Sequence, residues 1–124
     1  MAGEKAKNYR DLIVWQSGIQ LVKDVYILTG KFTDHEKFGL ANQLRRAAVS
    51  IPSNIAEGQA RGNGGDFRRF LLMAIGSLAE VDTQLVLAVE LGYLEPAHAA
   101  SLDPQITELR MKLYALIKSL PQRV

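Results

Sequence analysis

Apolar side chains recur along this chain at steps of three and four residues, and no segment alternates apolar and polar positions for long. That periodicity predicts helices and no strands. The first predicted helix covers about residues 8–29. Leu12, Trp15, Ile19, Val22 and Tyr26 form one stripe on it, and Val14, Leu21, Val25 and Leu28 form a second stripe alongside. Gly30 is placed to end this helix in a left-handed cap. Thr33 and Glu36 stand as a capping box, each satisfying a free backbone N–H, which predicts a second helix over about residues 34–58. Its stripe is Leu40, Leu44, Ala47, Ala48, Ile51 and Ile55. Pro52 lies inside that stripe, lacks an N–H and crowds the Ala48 carbonyl, so a kink is expected there. Gly58 opens a glycine-rich stretch over 58–65, expected to be a loop.

The third helix, about residues 66–91, has the clearest pattern. Phe67, Leu71, Ala74, Leu78, Val81, Leu85 and Ala88 step alternately by four and three, which is the seam of a left-handed bundle. Leu72, Ile75, Ala79, Val86 and Val89 extend the apolar surface well past that seam. One seam does not need so much, so Leu72, Ile75, Ala79 and Val86 are candidate oligomer-interface residues. Gly92 supplies a stop. Pro96 opens a short helical piece over 96–101, and Asp103-Pro104 opens the last helix, about 103–119, with a seam of Leu102, Ile106, Leu109, Leu113, Leu116 and Leu120. The predicted fold is all-α, an antiparallel up-down four-helix bundle, with a helical domain of other topology as the alternative. The 124 residues make a single domain, in which residues 1–8 are expected to be disordered.

Composition narrows the chemistry. The absence of cysteine excludes disulfides, thiolate metal sites and a thiol nucleophile. The longest stretches without charge, Leu12–Val22, Ala47–Ala56 and Phe70–Ala79, fall short of the ~18 apolar residues of a bilayer span. No membrane segment is expected, and without a secretory leader the expected location is cytoplasmic. His35 and His98 are far apart and lack a carboxylate spaced for a metal. Glu80 and Asp82, two apart on a helix, point in different directions and make a poor acid–base pair. No serine sits in a nucleophile motif. No catalytic residue, metal or cofactor is therefore expected, and the protein reads as a non-enzyme.

The net charge of +2 conceals segregation. Residues 45–69 hold five arginines against Glu57 and Asp66, residues 70–109 hold six acids and no base, and residues 110–124 hold four bases and no acid. Arg45, Arg46, Arg61, Arg68 and Arg69 are candidate nucleic-acid contacts, forming a basic surface at the junction of the second and third helices. Exposed arginines solvated or paired with carboxylates are the plainer reading of the same residues.

Asp82 falls inside the apolar arc of the third helix, where a carboxylate needs a partner. The expected partner is Arg45, or an arginine of another subunit; otherwise the arc is only partly buried and Asp82 reaches water. Gln43, Ser50, Ser53, Asn54 and Glu57 share one side of the second helix with Arg46 and Arg61. They read either as a recognition surface or as local repair, with Ser53 and Asn54 serving backbone groups released by Pro52 and Glu57 pairing one turn away.

The run Arg45-Arg-Ala-Ala-Val-Ser-Ile-Pro-Ser-Asn-Ile-Ala-Glu-Gly58 resembles the bacterial four-helix bundle protein family, whose relatives include proteins encoded in intervening sequences of large-subunit ribosomal RNA genes. Asp11-Leu-Ile-Val-Trp-Gln, Phe38-Gly-Leu, the segment from Phe70 to Leu85 and Leu91-Gly-Tyr-Leu94 are similar to the family in order and spacing. The resemblance implies an antiparallel bundle assembled as a ring-like homopentamer, without catalysis. A related branch, the accessory protein of diversity-generating retroelements, binds nucleic acid through a basic surface. The functional expectation is an oligomeric bundle that binds RNA or another polyanion, with a protein-interaction scaffold lacking any nucleic-acid role as the alternative.

Overall fold

The computed structural model describes residues 8–32 and 39–121. A 3-10 turn, Tyr9–Asp11, leads into α1 (Ile13–Thr29), α2 (Leu40–Ala60), α3 (Gly64–Glu90), the short α4 (Pro96–Ala100) and α5 (Asp103–Ser119). The long helices pack in the cyclic order α1–α2–α3–α5, each against its two neighbours. This is the predicted all-α up-down bundle. The capping box at Thr33 and Glu36, the start of the second helix near residue 34 and His35 lie outside the described residues.

Most of the predicted α3 and α5 seams is buried, while Phe67, Leu116 and Leu120 are only partly covered. Leu71, Ala74, Leu78, Val81, Leu85 and Ala88 meet Ile106, Leu109 and Leu113 in the core, together with Leu44, Ala48, Ile51 and Ile55 of α2. On α1 the two parallel stripes separate. Val14, Leu21, Val25 and Leu28 are buried, whereas Ile19 and Tyr26 of the other stripe are exposed and Trp15 and Val22 are only partly covered. By length and composition alone α3 could cross a membrane, contrary to the expectation from charge-free runs; here it packs its seam into the core of the bundle.

Three local expectations change. The first helix begins at Ile13, because Asn8 caps the 3-10 turn by accepting from the Arg10 N–H at 2.7 Å and Leu12 is extended. Gly30 is right-handed, φ −64°, and the chain leaves α1 through a turn in which Lys31 and Phe32 bond back to Leu28 and Thr29. Gly58 lies within α2, which continues through Pro52 with its kink and on to Ala60. The reason is tertiary. A Cβ on Gly58 would stand 2.6 Å from the Phe70 Cβ, so glycine here permits the close crossing of α2 and α3. The true turn is Arg61–Asn63, with Gly62 at φ +83°, and Gly92 at φ +80° ends α3 as expected.

Candidate functional site

The antiparallel helices divide the five candidate arginines between the two ends of the bundle. Arg45 and Arg46 lie early in α2, beside the end of α1, while Arg61, Arg68 and Arg69 cluster at the α2–α3 turn. Arg45 and Arg61 are separated by about 24 Å along the helix axis at 1.5 Å per residue. They do not form one continuous basic surface.

Most of these guanidiniums have work inside the fold. Arg45 donates through Nε to the Thr29 hydroxyl at 2.8 Å and lies 4.6 Å from the centre of the Tyr26 ring. Arg61 pairs with Glu57 at 2.9 Å, and Arg69 with Asp66 at 3.3 Å. Both also stack on the Phe70 ring, at 4.9 and 4.8 Å. Arg68 donates to the Leu120 and Pro121 carbonyls at 3.4 Å, closing the end of α5. Arg46 alone of the five is exposed with no hydrogen bond or ion pair among the described residues.

Asp82 does not meet Arg45. Its carboxylate faces Arg110 of α5 at 3.8 Å, with 47% of the side chain exposed, so it lies at the α3–α5 edge and not within the core. The arc around Asp82 is only partly buried, so its carboxylate reaches water as the alternative reading expected. Part of the polar stripe of α2 is used within the fold, both along the helix and across to α3. Ser50 Oγ lies 2.6 Å from Ser77 Oγ of α3, Asn54 Nδ2 donates to the Ser50 carbonyl at 2.8 Å, and Glu57 takes Arg61. The bond from Asn54 falls on Ser50 and leaves the Ala48 carbonyl, which Pro52 deprives of its helical donor, to other means.

The outer face of α3 remains uncovered. Leu72 and Val86 are 49% and 56% exposed, Ala79 is exposed beside them, and Met73 and Leu87 flank the stripe. Ile75 departs from this set, since it is partly buried against the core. The sequence-derived set omitted Met73 and Leu87, which the same wheel would have placed next to the stripe.

Among the described residues no group of three His, Cys, Asp or Glu could hold a metal ion. His98 is partly buried, with its Nδ1 lacking a partner among the described residues. The Asp66 carboxyl, in the first turn of α3, has a displaced titration. The Asn63 side-chain amide, followed by Arg69, holds it below its ordinary value.

A family model described as 23S rRNA-intervening sequence protein matches residues 10–115. The chain belongs to that family. The 23S rRNA-intervening sequence proteins form a family without an assigned activity. Comparison with curated proteins gives no match. Among solved structures, a protein of unknown function from the S23 ribosomal protein family of Bacteroides thetaiotaomicron is similar. It has a TM-score of 0.78 and 23% identity, with 86% of this chain and 100% of that chain covered. The likeness establishes a shared fold.

Proposed function

We propose that this protein is a non-enzymatic, self-assembling helical subunit, whose first binding partner is another copy of itself. The observation that carries the reading is the outer face of α3, where Leu72, Met73, Val86 and Leu87 are all more than 40% exposed although the seam behind them already fills the core. An apolar stripe of this length on a lone soluble subunit has no use inside the fold. A closed ring of five copies is the assembly proposed, in keeping with the family resemblance. Light scattering at about 10 μM tests it, a concentration at which a micromolar association is well populated. A monomer at that concentration overturns the reading.

Binding of RNA or another polyanion is a second reading, and its support narrows to one residue. Arg46 is an exposed cation without a partner among the described residues, in a groove with Arg45, Asn42 and Ser53. Repetition around an assembly would multiply that one contact. Filter binding of a structured RNA at several salt concentrations tests it. Binding that does not weaken with salt rejects a phosphate-driven contact.

A further inference from the structure

Two grooves at one end of the bundle carry opposite charge. The first, between α1 and α2, is lined by Tyr26, Asn42, Arg45, Arg46, Val49 and Ser53 and has no acid in its wall. The second, between α3 and the α4–α5 segment, is lined by Asp82, Val86, Val89, Glu90, Ala99 and Asp103 and has no base in its wall. They stand at the same level, because α1 and α3 end where α2 and α5 begin. They face opposite ways, because α1–α2 and α3–α5 are opposite pairs in the cyclic order of the bundle.

Arg45 is engaged by Thr29 and Tyr26, but each groove keeps charge that is not paired within the subunit. Arg46, Glu90 and Asp103 form no ion pair among the described residues, and Asp82 meets Arg110 only at 3.8 Å. Glu90 ends α3, where the helix dipole disfavours a carboxylate, so helix stability does not explain it. Each groove also has an exposed apolar wall, Tyr26 and Val49 in the basic one and Val86 in the acidic one.

We propose that the two grooves are the two halves of one contact, the basic groove of one copy receiving the acidic groove of the next. The proposal rests on the self-assembly reading above and names the surfaces that meet. Such a contact is head to tail. It closes into a ring if the rotation between successive copies closes, and runs on as a filament if it does not. A twofold pairing of like grooves would set Arg46 against Arg46 or Glu90 against Glu90, which charge repulsion opposes.

The test uses the full chain with Arg46→Glu, Glu90→Lys and the double reversal, followed by sedimentation velocity at low and high salt. Both side chains are exposed and have no ion pair among the described residues, so folding should be retained, which circular dichroism checks. The wild type should assemble and loosen as salt rises. Each single reversal should weaken association by about ten-fold or more, as loss of a close interfacial charge pair does. The double variant, and an equimolar mixture of the two singles, should recover most of it. A wild type that assembles while both reversals assemble equally well overturns the pairing and leaves self-assembly standing. A monomeric wild type removes both. If Arg46→Glu keeps assembly intact but abolishes filter retention of a structured RNA, the basic groove belongs to a polyanion and the pairing is overturned.

Discussion

Arg45 on α2 holds the last turn of α1 through the hydroxyl of Thr29, 2.8 Å from its Nε, and Thr29 in turn donates to the Val25 carbonyl at 2.8 Å. Thr29 is only 1% exposed, so this relay satisfies a buried hydroxyl and places a cation at the carbonyl end of a helix. The residue that looked from the sequence like a nucleic-acid contact, or a partner for Asp82, is a clamp between two helices.

Arg45→Met should therefore lower stability by about 1–3 kcal/mol, with Thr29→Val costing a similar amount and the double variant less than the sum. Arg45→Lys should not restore it, since a point charge cannot both bond Thr29 and stack on Tyr26. Arg45→Gln combined with Asp82→Asn should be additive, because the two residues share no contact. Urea unfolding of the set reads all of these. A coupling between Arg45 and Asp82 of the size found for Arg45 and Thr29 would contradict the arrangement.

Glycines in the helix interiors should respond in opposite directions. Gly58→Ala forces a Cβ to 2.6 Å from the Phe70 Cβ and should destabilise by about 1–3 kcal/mol through overpacking. Gly76→Ala meets nothing within 4 Å and should stabilise the subunit by roughly 0.5–1 kcal/mol through helix propensity. Thermal melting distinguishes them, and a neutral Gly58→Ala would mean that α2 and α3 part easily.

Core and outer face should separate cleanly on α3. Leu78, fully buried, should cost about 2–5 kcal/mol as Leu78→Ala by leaving a cavity. Val86→Glu, at a position 56% exposed, should leave the melting transition of the subunit nearly unchanged and abolish assembly in light scattering. Ile75→Glu should damage both, since Ile75 packs partly against the core.

Acid should weaken the α3 start through Asp66. Its carboxyl is held below its ordinary value by the Asn63 amide and then by Arg69, so the folded state binds the proton less readily than the unfolded chain. Its contribution is present above the unfolded value and disappears as pH falls through the folded one, below about pH 4. Asp66→Asn should therefore flatten the fall in stability over that range relative to wild type, in denaturant titrations run at successive pH values. An equally steep fall in the variant would show that other carboxylates account for it.

The α3 and α5 seams, the stop at Gly92 and the bundle itself were legible, because a stripe at steps of three and four reports one face of one helix. Which of the two stripes of α1 turns inward was not legible, since Ile19 and Val25 are equally apolar and only the position of α2 separates them. Gly58 misled for the same reason: its local signal is a loop, and its use is a tertiary crossing.

The sequence by itself determined the helices, the class of fold and the segregation of charge, all of which depend on neighbours within a turn or two along the chain. The tertiary structure decided which arginines are spent on holding helices together, that Asp82 pairs across to Arg110, and that the basic and acidic grooves stand on opposite sides at one level. Those facts depend on which distant segments come within a few ångströms of each other, and hydrogen bonds, ion pairs and van der Waals contacts act only at that range.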